Sequence, residues 1–506
     1  MTSIEHRTSP RSDQHPDPVA TPATAITAVA GIEMWERFSF YGMQAILVYF
    51  LYHSTDLGGL GMNHTTATAV IGAYGAAVYL CTIAGGWAAD CVLGAERTLV
   101  GGAVLLVAGH LTMGLVGGIP GTVTGLALIA LGSGALKASA VAVLGRCLRG
   151  QPGTRRTDTG FLTFYLGINI GAFFGPILTG WLQQHHGFRA GFSAAAVLML
   201  LGLVMYLALR RRYLSTLTAD TRRAVLSPGQ PADRRSVLTV VPAVVTAVLT
   251  VAVLAATGVI GVDALADGML VAVVLVAVAT FVSMLTAPGV TGTERGNIRA
   301  FIPLFIGSSV FWAMLNQNFG VLAVYSDLRL DRTLFGWEMP AAWTQSLNPV
   351  FLLIAIPATG WVWSRRRASR SDASPVSPAR RMSAGVAMAG VGMLVFVPFA
   401  DGGESSTPLL VLVAAILLIT LGEINVGPVG MAAAGELAPA RFATRFSALY
   451  FLSMAVGTAA AGVLSGFYSP GDPAAERIYF CGCAAVAVVT AVVLRATAAS
   501  SSASRP

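Results

Sequence analysis

Five charged side chains lie inside long apolar segments of this sequence, where a charge is rare. Three of them, Glu33, Glu36 and Arg37, fall in the stretch GIEMWERFSFYG. Their spacing of i, i+3 and i+4 predicts one shared helical face, on which Arg37 can lean back toward Glu33. The other two are Lys137 and Glu423. Because a charge at mid-bilayer costs about 2.5–3.5 kcal/mol on insertion scales, each of the five needs a reason to be there.

The charges of the first segment have two interpretations. A structural ion pair could tie this helix to a neighbouring one, although three charges exceed what such a tie needs. The alternative is that all three point into a polar cavity and away from lipid. We favour the cavity.

Lys137 lies in LALIALGSGALKASAVAVLG and is the single lysine of a chain that otherwise uses arginine. A buried lysine can lose its proton, whereas a buried arginine stays charged. A lysine that snorkels to the membrane surface is the alternative. Its place in the middle of an apolar segment argues against that, so the sequence predicts a site where proton loss is part of the function.

Glu423 lies in ITLGEINVGPVGM, between Gly422 and the pair Gly427 and Pro428. Helices that bend at membrane depth tend to line cavities. A lone carboxylate in such a cavity needs a cation, which could be a lysine, a proton or the amine of a bound molecule.

The composition establishes which elements must position these charges. Apolar residues make up 55% of the 506 positions and charged residues 11%, with a mean hydropathy of +0.70. Soluble chains carry about 25% charged residues, so this is a multi-pass membrane protein. The predicted spans are 27–52, 67–89, 98–118, 122–145, 159–183, 190–209, 237–260, 267–286, 299–325, 341–364, 383–400, 407–430, 443–467 and 477–496.

The positive charges predict the orientation. With these fourteen spans, 26 of the 32 Lys and Arg residues fall on the side of both chain ends, and four fall on the other side. The excess of positive charge marks the cytoplasmic side, so we expect both termini in the cytoplasm. The net charge of +8 then reflects topology, and no nucleic-acid partner is expected.

Several motifs in the correct order resemble one family, the proton-dependent oligopeptide transporters. GIEMWERFSFYG is similar to its first-span signature, and FLTFYLGINIGAFFGP, WTQSLNPVFLL and LGEINVGPVGM are similar to later spans. The loop GGWAADCVLGAERT resembles a signature of the major facilitator superfamily, with Asp90, Gly94 and Arg97 in the motif positions. The matches extend from the first span to the eleventh span of this fold.

The resemblance implies an all-α membrane protein with the major facilitator fold: two six-helix bundles and two extra helices between them, 14 transmembrane helices in total. We expect a disordered cytoplasmic tail (1–25), an N-terminal bundle (26–212), a cytoplasmic linker with the two extra helices (213–296), a C-terminal bundle (297–498) and a cytoplasmic tail (499–506). The expected location is the cytoplasmic membrane of a bacterium.

The resemblance also implies proton-coupled symport of di- and tripeptides or peptide-like compounds by alternating access. The proton gradient would drive it, with no cofactor, no metal and no enzymatic step. The implied proton-coupling residues are Glu33, Glu36 and Lys137. The implied substrate-binding residues are Arg37, Tyr41, Tyr79, Lys137, Asn169, Asn348 and Glu423, with the substrate carboxylate at Arg37 and Lys137 and its amine at the last three.

Four positions depart from the family pattern. Phe40 lacks the hydroxyl of the usual tyrosine, and Tyr450 replaces a common tryptophan. Gln44 and Asn316 replace a usual arginine and a usual acid, and we expect them to form a neutral hydrogen-bonded gate between the bundles. These changes leave an alternative open: a proton-coupled transporter or exporter of a natural product, with altered specificity and gate.

Overall fold

The computed structural model describes residues 23–148, 154–229, 231–233, 235, 237, 239, 250, 261–369 and 377–503. The first six helices, which we call the N-terminal group, are α1 (Ala23–Tyr52), α2 (His64–Trp87), α3 (Ala95–Leu115), α4 (Gly118–Leu148), α5 (Thr154–His186) and α6 (Phe188–Thr216). Two further helices follow: α7 (Ala219–Leu226) and α8 (Val262–Leu285).

The remaining helices, which we call the C-terminal group, are α9 (Gly292–Asn316), α10 (Val321–Leu328), α11 (Leu347–Ser369), α12 (Pro378–Leu394), α13 (Leu409–Leu437), α14 (Ala443–Leu464) and α15 (Pro473–Ala503). A 3-10 turn, Gln317–Phe319, joins α9 to α10, and another, Ala341–Ser346, leads into α11. In the described ranges the strands have two residues each. β1 (Leu330–Asp331) pairs parallel with β4 (Thr407–Pro408), and β2 (Thr333–Leu334) pairs antiparallel with β3 (Trp337–Glu338).

The predicted helical membrane architecture is confirmed. Twelve of the described helical segments are long and apolar enough to cross a membrane. Helix α1 is not among these twelve, because its three charges lower its hydropathy. It is nevertheless 30 residues long, or about 45 Å at 1.5 Å per residue, which is enough to cross a membrane. The predicted span 237–260 lies almost entirely outside the described residues, as do positions 1–22 of the predicted tail.

Several predicted boundaries fall inside helices. Position 212 lies within α6, position 297 within α9 and position 499 within α15, and the linker contains the unpredicted helix α7. The reason is that helices extend past their apolar stretches on polar residues that satisfy the terminal backbone groups. Helix α9 shows this, because Thr291 and Glu294 form a reciprocal capping box before the hydrophobic run begins.

Small residues let α1 pack closely against α5. A Cβ added to Gly171 would lie 2.3 Å from the backbone oxygen of Met34, and one added to Gly175 would lie 2.5 Å from that of Phe38. Helix α1 also packs on α6, while α2 and α3 pack on α4. The charged face of α1 is therefore held inside the N-terminal group by backbone contact.

A loop at the beginning of α3 is fixed by its own motif residues. Arg146 donates from Nη2 to Asp90 Oδ1 at 2.8 Å. Gly94 has φ +87°, and a Cβ there would lie 2.5 Å from the backbone oxygen of Leu226 in α7. Because that conformation and that contact both favour glycine, the motif position is explained by local geometry.

The two groups touch on the side of the molecule where α1 ends, which we call the Tyr52 side; the opposite side is the Ala23 side. Helices α2 and α14 pack closely there, since a Cβ on Gly72 would lie 2.4 Å from Gly462 Cα. Trp343 Nε1 donates to the backbone oxygen of Ile177 at 3.0 Å. Helix α8 contacts both α2 and α14, so it lies along the seam between the groups.

A half-buried carboxylate adds a polar contact at the same side. Asp327, at the end of α10, accepts a hydrogen bond from the Tyr52 hydroxyl and lies 3.0 Å from His53 Nε2. Arg332 Nη2 lies 3.6 Å from the other carboxylate oxygen and 2.9 Å from Glu338. Asp327 thus links two residues of the N-terminal group to an arginine of the C-terminal group.

We expect Gly171→Ala to lower the melting temperature of the purified protein in detergent. The added methyl group collides with backbone, so α5 must move away from α1, and overpacking of this kind costs about 1–3 kcal/mol. Gly101→Ala on α3 is the matched control, because no atom lies within 4 Å of its added Cβ. Equal melting temperatures for the two variants contradict the close-packing account.

Candidate functional site

The three charges of α1 form one buried cluster. Arg37 donates from Nε and Nη2 to Glu33 Oε1 at 2.9 and 2.7 Å, so the predicted lean is confirmed. Arg37 Nε also lies 3.1 Å from Glu36 Oε2. The exposed fractions are 2% for Glu33, 0% for Glu36 and 6% for Arg37. One guanidinium therefore contacts two carboxylates that are shielded from water, and the three side chains keep one net negative formal charge.

A serine of α4 completes this cluster. Ser133 donates its hydroxyl hydrogen to Glu36 Oε1 at 2.7 Å and is itself fully buried. The motifs did not single out Ser133. It lies four residues before Lys137, so helical spacing places both on one face of α4 and could have identified it.

The ammonium of Lys137 lies among aromatic rings. Its Nζ is 4.5 Å from the Phe40 ring centroid and 5.7 Å from that of Tyr79, within cation–π range. Within the described ranges, no carboxylate oxygen lies within 4 Å of this ammonium. The side chain is half-buried. Phe40 therefore holds the lysine by its ring face, and the ammonium is left without an anionic partner.

A second polar cluster lies in the C-terminal group. Asn348 of α11 donates from Nδ2 to Glu423 Oε2 at 2.9 Å and to Thr420 Oγ1 at 3.1 Å. Thr420 and Glu423 are three residues apart on α13, so they share a helical face, and this spacing could have revealed Thr420. In the part of the chain that the structure describes, no cationic side chain lies within 4 Å of Glu423.

Two tyrosines lie near both clusters. The Tyr41 and Tyr79 hydroxyls are each close enough to Arg37 and to Glu423 for an electrostatic interaction. Tyr41 also stacks on Phe319, with ring centroids 6.1 Å apart, at the turn between α9 and α10. The structure thus brings these two predicted residues together with both charged clusters.

Asn169 is placed differently from expectation. It is buried on α5, and its Nδ2 donates to the backbone oxygen of Tyr165 at 2.9 Å. This bond lies within α5 itself. Of the two predicted asparagine partners, Asn348 contacts Glu423 directly and Asn169 does not.

The predicted hydrogen bond between Gln44 and Asn316 is wrong for this conformation. Asn316 Nδ2 donates instead to the backbone oxygen of Trp312 at 2.8 Å. Its side chain borders a small cavity with Thr68, Gln317 and others at the seam of α2, α9 and α14. Gln44 is buried, and no described residue forms a hydrogen bond with its side chain. The Asn316 side chain is short and neutral, so a backbone oxygen of its own helix satisfies its amide nitrogen without a partner across the seam.

Tyr450 has a contact within the C-terminal group. Its hydroxyl donates to the backbone oxygen of Gly427 at 3.0 Å, beside Pro428 on the proline-containing helix α13. A Cβ added to Gly430 would lie 3.1 Å from the Tyr450 ring. The ring therefore packs against the glycine-containing face of α13 that follows Glu423.

Two charges of opposite sign are left without an ion-pair partner in the described part of the chain. Lys137 belongs to the N-terminal group and Glu423 to the C-terminal group. Among the described residues, no group of three or more His, Cys, Asp and Glu side chains could hold a metal ion. Such a site suits a small molecule that carries an anion at one end and a cation at the other.

Comparisons with known proteins identify the family. The POT family model matches residues 96–479. The chain is 34% identical to the uncharacterized transporter YclF of Bacillus subtilis, over 91% of each chain. It is 32% identical to the di-/tripeptide transporter of Lactococcus lactis subsp. cremoris, over 88% of this chain and 89% of that one.

A solved structure confirms the expected fold. The crystal structure of the peptide transporter POT in complex with sulfate superposes with a TM-score of 0.85, at 35% identity and over 94% of each chain. The family model, the relatives and this structure lead to one conclusion. The chain belongs to the POT family of multi-pass membrane transporters, the family its motifs resemble.

Proposed function

We propose that the protein is a proton-coupled symporter of di- and tripeptides or peptide-like compounds. The observation that carries the proposal is the pair of unpartnered charges, Lys137 in the N-terminal group and Glu423 in the C-terminal group. A free peptide is a zwitterion, so it satisfies both charges at once. The Lactococcus relative named as a di-/tripeptide transporter supports the same substrate class.

The substrate carboxylate would bind Lys137 and Arg37. The ammonium of Lys137 makes no ion pair with a described residue, and Arg37 retains donors beyond those bound to Glu33. The substrate amine would bind Glu423 and Asn348. Asn169 would join this end through its Oδ1, because the bond to the Tyr165 carbonyl uses Nδ2 alone. Tyr41 and Tyr79 would line the space between the ends.

Charge balance gives a reason for coupling to protons. Glu33, Glu36, Arg37 and Lys137 together carry no net formal charge. A peptide carboxylate brings one negative charge into this buried cluster, and an uncompensated buried charge is strongly unfavourable. A proton on Glu33 or Glu36 restores neutrality and releases Arg37 toward the substrate. The proton gradient then drives transport, and no cofactor takes part.

Alternating access follows from the contacts between the groups. We infer that the Ala23 side is cytoplasmic, with both termini there and the helices in the bacterial cytoplasmic membrane, because positive residues concentrate on that side. The Tyr52 side is then external, and this conformation is closed to the exterior. Opening it requires α2 to part from α14 and Asp327 to leave Tyr52 and His53.

We expect proteoliposomes with an imposed inward proton gradient to take up labelled dialanine, and Lys137→Ala to reduce that uptake about tenfold or more. A hydrogen bond to a charged group contributes about 1.5–3 kcal/mol, which corresponds to that factor. Arg211→Ala is the control, since it removes an exposed positive charge. Both variants are checked for monodispersity before uptake is measured.

Unchanged uptake by Lys137→Ala contradicts the assigned role of the lysine. Absence of dialanine uptake by folded, monodisperse wild-type protein contradicts the proposed substrate class. In that case the departures at Phe40, Asn316 and Tyr450 direct a ligand screen toward peptide-like natural products.

Asp327→Ala should favour the conformation that is open on the Tyr52 side, because it removes the carboxylate shared by Tyr52 and His53. We expect a several-fold larger open population, seen as longer distances between spin labels on the two groups. Thr55 and Phe335 suit the labels, since both are exposed on that side.

The five cysteines carry no disulfide and must be replaced before labelling. Asp56→Ala is the matched control, because it removes an exposed carboxylate from the same side. The same distance distribution in Asp327→Ala, Asp56→Ala and the parent protein would refute a role for Asp327 in closing this side.

A further inference from the structure

Thr420 uses both of its hydrogen-bonding capacities at the amine end of the site. Its hydroxyl donates to the backbone oxygen of Ile416 at 2.7 Å. The same oxygen accepts from Asn348 Nδ2 at 3.1 Å. Thr420 is fully buried, so neither bond competes with water. A hydroxyl has one hydrogen, and here the helix backbone takes it.

This bond determines which way the Asn348 amide faces. Because the Thr420 hydrogen is already used, Thr420 can only accept from Asn348, so the nitrogen must face it. Glu423 alone cannot impose that orientation through a transport cycle. An ionised carboxylate accepts from the amide nitrogen, but a protonated one can donate to the amide oxygen instead.

The fixed orientation decides what the site offers a ligand. Both Nδ2 hydrogens are used, one by Glu423 and one by Thr420. Asn348 Oδ1 and Glu423 Oε1 make no hydrogen bond with the described residues. Neither belongs to the fully buried atoms without a partner, so a ligand can reach both. An ammonium group has three donors, so two adjacent acceptors suit it, whereas an acylated amine carries one hydrogen and no charge.

We propose that Thr420 is a positioning residue that selects substrates with a free amine. It holds the Asn348 carbonyl toward the ligand whether Glu423 is ionised or protonated. This inference rests on the proposed function, because it takes the Asn348 and Glu423 cluster as the amine-binding end. The residue acts through Asn348 and makes no contact of its own with substrate.

The test compares Thr420→Val with Thr420→Ser in proton-driven dialanine uptake. Valine keeps the shape but removes the acceptor, so Asn348 can rotate, and we expect the KM for dialanine to rise about fivefold. Serine keeps the hydroxyl and should restore the wild-type KM. Inhibition by N-acetyl-dialanine, which lacks the ammonium, should be the same in wild type and Thr420→Val.

Two controls separate positioning from packing. Thr280→Val removes a hydroxyl that also donates to a backbone oxygen one turn earlier, at 2.7 Å, but binds no second side chain among the described residues. In an Asn348→Ala background, Thr420→Val should raise the KM no further, because the group it orients is gone. Thr420→Ala serves as the second variant if the valine protein is not monodisperse.

The outcomes are distinct. A wild-type KM in Thr420→Val overturns the inference and leaves the proposed function intact. An equal effect of Thr420→Val with and without Asn348→Ala also overturns it, since packing alone then explains the loss. No dialanine uptake by the wild-type protein overturns the proposed function, and this inference with it.

Discussion

The structure depends on one constraint: a charge placed in a low-dielectric interior must be neutralised. Arg37 satisfies Glu33 and Glu36 within a single helix face, with distances of 2.7–3.1 Å. The cluster then tolerates near-complete burial. Lys137 on α4 balances the remaining formal negative charge, but its ammonium makes no ion pair with a described residue. Glu423 on α13 likewise has no cationic side chain of a described residue in contact. In the proposed function, these two charges bind the two ends of a molecule that carries both signs.

The helix packing holds Lys137 and Glu423 on two different groups of helices. Glycines at α1 and α5 bring the charged helix into backbone contact with its neighbour, so the Arg37 cluster moves with the N-terminal group. Asn348 and Thr420 hold Glu423 within the C-terminal group. Each half of the site is therefore held by contacts within its own group, and the two groups meet on the Tyr52 side. Rocking of one group against the other changes access while each half-site stays intact.

Much of this was predictable from the sequence, for physical reasons. Membrane helices are long apolar runs, and intramembrane charges are rare, so the spans and Glu33, Glu36, Arg37, Lys137 and Glu423 were identified directly. Helix ends were less predictable, because capping residues such as Thr291 extend helices into polar sequence. Contacts across the fold were the hardest: nothing in the local pattern predicts that Asp327 meets His53. Ser133 and Thr420 were intermediate in predictability, since helical spacing alone places them on the same helix faces as Lys137 and Glu423.

The most direct test of the central claim is whether peptide movement itself moves protons. Proteoliposomes that contain a pH-sensitive dye are placed in an inward dialanine gradient, with equal starting pH on both sides and the membrane voltage clamped. If a proton neutralises each incoming carboxylate, dialanine uptake should acidify the lumen. No acidification should occur without dialanine or in liposomes that lack the protein. Dialanine accumulation without acidification would contradict the account, because it would show that the buried cluster accepts the carboxylate without a proton.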